Sequence, residues 1–278
     1  MPRRISTVRL RELAEGVRAV VEGAGLSSRH VAELVGCDEG KISEVLNGKA
    51  HLSEFELVVL LSVCRPKAEE RERLLALYPT RDVRGWWQQH GKAAPVCPST
   101  AMAQVATATE LIDWQPLVLP AFLRTDQYTR ELLMASAQVP EEKELAARLC
   151  VQIQLRKLLR DGLASTFYIH EFALRLEVGD AEVRAEQMLL LMIAATWDYV
   201  TIRIVPASIG AHAGLSGPFI QLKFEKYEPL VWLEALNSST FVEKQDAVDG
   251  YAAVVRKLNQ VSLSPEESLE LIKSLHTG

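Results

Sequence analysis

Over the first 78 positions the apolar residues recur at helical spacing in five short groups. Leu10, Leu13, Val17, Val20 and Val21 share one stripe, and Gly23-Ala24-Gly25 ends it. Ser27 reads as the cap of a second helix, which carries Val31, Ala32, Leu34 and Val35 as far as Gly36. A third helix starts at Asp38, turns Ile42, Val45 and Leu46 inward and stops at Asn47-Gly48. A fourth opens at the Ser53 cap. The fifth follows Pro66, with Glu69 and Glu70 in its first turn.

From Pro79 to Thr100 the periodicity breaks up into Arg, Gly, Trp, His and Pro, which predicts a linker over residues 79–100. Three helical stretches are expected from Ala101 to Asp161, interrupted by Pro116, Pro120 and Pro140. Past Ser165 the period drops to two. Strands are expected over Ser165–Glu171 and Tyr199–Pro206, with a helix over Ala181–Thr196 between them, an order that favours a parallel crossover. Phe219–Phe224 and Leu230–Leu236 read as a hairpin. Helices over Lys244–Val261 and Ser264–Leu275 close the chain, and Ser264-Pro265-Glu266-Glu267 is a specific helix start. The expected class is α+β: a five-helix all-α domain (1–78), then a helical segment leading into a small α/β domain with a mixed sheet (101–278).

Composition narrows the function. Of 278 residues 48% are hydrophobic and 24% charged, a globular balance. The longest apolar stretch, near Met188–Trp197, is well short of the roughly 20 residues that span a bilayer. No apolar run follows Met1-Pro2-Arg3-Arg4, so no secretory signal is visible and a cytoplasmic protein without a membrane partner is expected. Cys37, Cys64, Cys97 and Cys150 stand far apart without Cys-x-x-Cys spacing, which favours reduced thiols and predicts neither a metal nor a cofactor. The net charge of −5 is awkward for a phosphate binder, and up to Lys49 eight basic residues face seven acidic ones. Any case for DNA must come from a motif.

That motif is a set of spacings. Ala32 is small enough for the second helix to approach the third, Gly36 sits at the corner where positive φ is needed, and Ile42 anchors the third helix to the core. The leading part of that helix then projects into a major groove of double-stranded DNA. Glu39, Gly40, Lys41, Ser43 and Glu44 face outward. A carboxylate of Glu39 or Glu44 can accept from cytosine N4, and Lys41 can pair with guanine or a phosphate. Ser28 with Arg29, Asn47, Lys49 and the Arg3-Arg4 arm are candidates for phosphates. One short helix reads few bases, so a homodimer on paired half-sites is expected. The alternative is an antitoxin-like adaptor whose helical module binds protein, and the even charge balance favours it.

Leu26–Leu46 resembles the Cro/repressor-type (xenobiotic-response-element) helix-turn-helix, with Ala32, Gly36 and Ile42 at its signature positions. Ser28 stands where that family usually has Gln, and Leu46 where Glu is frequent. The remainder resembles the uncharacterised C-terminal domain common in actinobacterial regulators. Gly85-Trp86-Trp87, Trp114-Gln115-Pro116, Glu171, Ala173-Leu174-Arg175, Val178-Gly179, Gln187 and Pro206 carry the resemblance. Gly210-Ala211-His212-Ala213-Gly214, Gly217-Pro218-Phe219, Glu234, Leu263-Ser264 and Glu267-Ser268 extend it. Gln104-Val105 and the run Pro120-Ala121-Phe122-Leu123-Arg124-Thr125 depart from the usual Leu-Glu and Pro-Gly-Leu-Leu-Gln-Thr. The resemblance implies a dimeric regulator, often encoded beside a small partner protein, and no known chemistry.

In the second domain Gly210–Gly217 is a glycine-rich loop between strands, able to bring backbone N–H groups close to a ligand. It lacks the context of a dinucleotide or phosphate loop. Ligands of parallel sheets sit at strand carboxyl ends, where Glu171 and His212 would converge, with Arg175, Gly210, Gly214, Glu234 and Arg124 as further candidates for an effector or partner. The plain reading has His212 capping a turn and Glu171 pairing with Arg175 at i,i+4. Trp86 and Trp87 can form a lid or a peptide anchor, or staple the linker to the core. Ser208 and Ser216 lie near His212 without a nucleophile elbow, so no catalytic residues are expected.

Overall fold

The computed structural model describes residues 6–90 and 99–277. Arg3, Arg4 and Cys97, and residues 91–98 of the expected linker, lie outside the described residues. Contacts divide the chain into two compact units, Met1–Trp86 with Lys226–Glu228 and Trp87–Glu225 with Pro229–Gly278.

The first unit contains α1 (Val8–Gly23), α2 (Ser28–Val35), α3 (Glu39–Leu46), α4 (Glu54–Cys64) and α5 (Ala68–Leu77). Each of the first four starts on a side-chain cap: Thr7, Ser27, Asp38 and Ser53 accept from backbone N–H groups one turn on. Ser53 and Glu56 complete a capping box. Leu13, Val17, Val31, Ala32, Val35, Ile42, Val45, Leu57, Leu60, Leu61 and Leu74 form one core. Arg73 ties α5 to α1, reaching Glu12 at 2.7 Å and Glu70 at 2.8 Å.

The second unit is built on a seven-stranded mixed sheet in the order β1-β7-β6-β5-β2-β3-β4. The strands are β1 (Trp86–Gln89), β2 (Glu110–Gln115), β3 (Ala164–His170), β4 (Val200–Val205), β5 (Phe219–Lys223), β6 (Leu230–Ala235) and β7 (Ser238–Val242). β2, β3 and β4 run parallel, and β2–β5, β5–β6 and β6–β7 pair antiparallel. Its helices are α6 (Ser99–Thr107), α7 (Asp126–Met134), α8 (Glu142–Arg160), α9 (Glu171–Arg175), α10 (Ala181–Ala194), α11 (Gln245–Val261) and α12 (Pro265–Thr277). One sheet face carries Ile112, Trp114, Tyr168, Phe219 and Val231 and packs on Val248 and Leu258 of α11. On the other, Phe167 packs against Phe122 of a 3₁₀ turn over Ala121–Leu123.

The α+β class is as the periodicity predicts, and the parallel β3–α10–β4 crossover and the β5–β6 hairpin are present. Three strands escape the sequence reading. β2 falls inside the stretch expected to be wholly helical, β1 inside the expected linker, and β7 extends the hairpin into a third strand. The burial of Glu110–Gln115 shows why β2 is hidden: its four central residues are buried on both faces, so no polar–apolar alternation marks it. Glu171, expected as the last residue of a strand, instead opens α9, because His170 caps that helix.

Candidate functional site

In the first unit the corner between α2 and α3 has the geometry the spacing requires. Gly36 adopts φ 80° and ψ 34°, and its N–H donates to the Ala32 carbonyl at 2.9 Å. That left-handed conformation strains any residue with a Cβ. Ala32 and Ile42 are buried, which fixes α3 at its inner face. Glu39, Gly40, Ser43, Glu44 and Asn47 are exposed along the outer face, and Arg29 is exposed on α2. Ser28 and Lys49 are half-buried.

Several of these candidates are already engaged. Lys41 Nζ donates to both carboxylate oxygens of Glu56, at 2.7 and 2.8 Å. That bond holds the Glu56 carboxyl down at about 2 and raises the ammonium. The Asn47 amide donates to the Ser43 carbonyl at 2.7 Å and closes the last turn of α3. Arg29 lies 3.4 Å from Glu33, an exposed pair of little strength.

In the second unit the predicted loop residues separate into two groups on opposite sheet faces. On the α11 side the rings of His170 and His212 stack with centroids 5.6 Å apart, and Trp114 meets His212 edge-on at 5.5 Å. Each histidine accepts a backbone N–H at Nδ1, His170 from Phe172 and His212 from Gly214, which puts the ring proton on Nε2. His212 Nε2 is buried without a partner, and burial, followed by the neighbouring His170, pushes this imidazole down.

His212 therefore meets His170 rather than Glu171. The Glu171 carboxylate accepts from the Ala207 N–H at 2.9 Å and from Arg175 at 2.7 Å, and the backbone bond is the main reason it is held low. Gly214 lets the backbone touch Trp114, whose indole N–H donates to the Gly214 carbonyl at 2.8 Å, and a Cβ there would lie 2.6 Å from the ring. Gly210 supplies a positive φ of 68° with open space around it. Trp86 packs against the core of the first unit and under Arg9, 5.1 Å away, while Trp87 is 62% exposed.

The other face brings together Arg124 and Glu234, which the sequence offers only as separate candidates, with Asp113, which the sequence reading misses. All three line a cleft of about 200 Å³ with Gln115, Phe122, Leu155, Ile220 and Trp232. The sheet register explains the meeting. Phe241, Trp232, Ile220, Asp113, Phe167 and Ile202 are successive cross-strand partners, a row in which Asp113 is the single polar member apart from the indole N–H. Asp113 is fully buried, and desolvation lifts its carboxyl to about 7, against the pull of Gln115 and Arg124. Burial also lowers the Arg124 guanidinium, and Glu234, exposed at the cleft mouth, is raised by partial desolvation against the pull of Arg124 and Arg148.

Among the described residues no group of three or more His, Cys, Asp or Glu is placed to hold a metal ion, and no helix is long and apolar enough to cross a membrane. Residues 9–74 match the family described as a helix-turn-helix domain. Residues 99–274 match the family described as a domain of unknown function (DUF5753). No curated protein compared with the chain matches it. With a matched helix-turn-helix ahead of a second match that takes in six of the seven strands of the mixed sheet, β2 to β7, and more than half of the chain, the chain belongs to the DUF5753 domain family.

Proposed function

We propose that this protein is a sequence-specific, DNA-binding transcriptional regulator of the Cro/repressor type, working in the cytoplasm as a homodimer, whose C-terminal domain senses a small ligand or binds a partner protein. Residues 1–78 serve as the reading head and residues 101–278 as the sensing domain. The observation that carries the reading is the α2–Gly36–α3 corner, with Ala32 and Ile42 buried beneath and the outer face of α3 exposed. A helix propped outward in this way fits the major groove with its leading turn. Ser43, Glu39 and Glu44 then meet base edges, while Ser28, Arg29 and Lys49 flank the phosphates. The resemblance of the second domain to that of actinobacterial regulators supports a dimeric regulator with a small partner protein.

The test is sequencing-based selection of bound duplexes from a random pool, followed by titration of the winner against salt. A paired half-site whose affinity falls steeply with salt is expected, and light scattering should give a dimer on that site. Recovery of no common sequence would refute the proposal. A protein-binding adaptor is the second reading, favoured by the two carboxylates on α3 and by the neutralisation of Lys41. Capture of a protein by the full chain in competition with the outward residues of α3, with no duplex retained, would establish it instead.

A further inference from the structure

The Asp113 cleft is built unlike an ordinary piece of core. Arg124 Nε donates to the Leu119 carbonyl at 2.7 Å, which fixes the guanidinium plane, and its terminal nitrogens have no acceptor among the described residues. Asp113 Oδ1 accepts from Gln115 at 2.9 Å, but Oδ2 is buried with no partner. The indole N–H of Trp232, another wall of the cleft, is likewise buried and unpartnered. Arg124 sits within electrostatic reach of both Asp113 and Glu234, yet no ion pair of 4 Å or less joins it to either. Three charge-bearing side chains thus surround an opening without closing on one another. Leaving such groups unpaired costs stability, and convergent polar groups in an apolar cleft mark a ligand site.

We infer that this cleft binds a small zwitterion, an α-amino acid with an apolar or aromatic side chain, its carboxylate on Arg124 and its ammonium between Asp113 and Glu234. The inference rests on the sensing half of the proposed function and is independent of DNA binding. Charge decides the class. An ammonium between Asp113 and Glu234 favours their ionised forms, whereas a phosphate or other polyanion opposes that ionisation, and the guanidinium disfavours a simple cation. A molecule carrying both signs satisfies the three groups together. Size agrees, since about 200 Å³ falls below the roughly 300–1,000 Å³ of pockets for drug-sized ligands. Phe122, Leu155 and Ile220 supply an apolar wall for the side chain.

The experiment is calorimetric titration of the DNA-free full chain with each of the common L-amino acids in turn. At least one apolar or aromatic member should bind. Its decarboxylated amine and its deaminated acid should each bind at least tenfold more weakly. Arg124→Met and Glu234→Gln should each weaken it tenfold or more while thermal unfolding shows that both variants fold; Glu234 is solvent-accessible, so Glu234→Gln keeps the test open if Arg124→Met does not fold. No binding by any member, equal binding by the amine alone, or binding unchanged by both substitutions would overturn the inference. A chain that selects an operator but binds no amino acid overturns this site alone. One that binds an amino acid without altering operator affinity supports the site and removes its regulatory role.

Discussion

Glu56→Gln is the most informative substitution on the DNA-reading unit, because it alters the charge of α3 from outside the helix. Lys41 is held by both oxygens of Glu56, at 2.7 and 2.8 Å, and its side chain remains 35% exposed. Glutamine keeps the capping box with Ser53, since either residue serves at that position. What is lost is a partly solvated ion pair, a cost of about 1 kcal/mol or less. What is gained is a free ammonium next to the expected duplex. One added phosphate contact steepens the dependence of log K on log[salt] by about 0.9, which at about 0.15 M salt amounts to roughly fivefold in affinity. Fluorescence anisotropy across a salt series, on the selected operator and on a random duplex, reads both numbers. Tightening on both duplexes with a steeper slope is expected. An unchanged or shallower slope would mean that Lys41 does not approach the phosphates, and the placement of α3 in the groove would fail with it.

Gly36→Ala should destabilise the first unit by roughly 1–2 kcal/mol from backbone strain alone, because nothing lies within 4 Å of the new Cβ. Gly36→Asn should lose less, and chemical denaturation compares them. Gly214→Ala drives a methyl to within 2.6–2.8 Å of the fully buried Trp114 ring, so a loss of about 1–3 kcal/mol is expected in denaturant unfolding followed by tryptophan fluorescence. A loss below about 0.5 kcal/mol would contradict that contact, since only substitutions away from such features are that mild. Asp113 gives a pH signature. Its folded value of about 7 exceeds the ordinary 3.8, so the folded state holds a proton that the unfolded chain releases, and stability falls as pH rises between those values and levels off above them. Gln115, Arg124 and Glu234 face the same carboxyl; Glu234, itself raised from 4.5, adds a loss of the same sign as pH rises, so the Asp113 share is read from the difference that Asp113→Asn makes. Asp113→Asn should therefore stabilise the chain more at pH 8 than at pH 5, by an amount of order 1 kcal/mol or more, and an equal effect at both would refute the buried-acid assignment.

The helix-turn-helix was legible in sequence because it is local. Caps at Ser27, Asp38 and Ser53, the corner glycine and the stripe of Ala32, Ile42 and Val45 act within a few residues of chain, and each fixes backbone geometry by itself. The β3–α10–β4 crossover and the closing helices were legible for the same reason. The capping role of His212 and the Glu171–Arg175 pair also follow from short spacings, and both are seen.

Only the tertiary structure could decide the Asp113 cleft and the fate of Lys41. β2 lies at the centre of the sheet, so both its faces are buried and its sequence carries no period to detect. Its neighbours β3 and β5 lie about 50 and 100 positions away in the chain, and the row that isolates Asp113 exists only once their register is set. Arg124, at the end of the 3₁₀ turn over Ala121–Leu123, and Glu234 of β6 become neighbours through the packing of that turn on the sheet and not through spacing. Local patterns encode dihedral choices and single-element faces. Charge neutralisation and cleft formation depend on which distant side chains the packed core forces together, and that is a property of the whole fold.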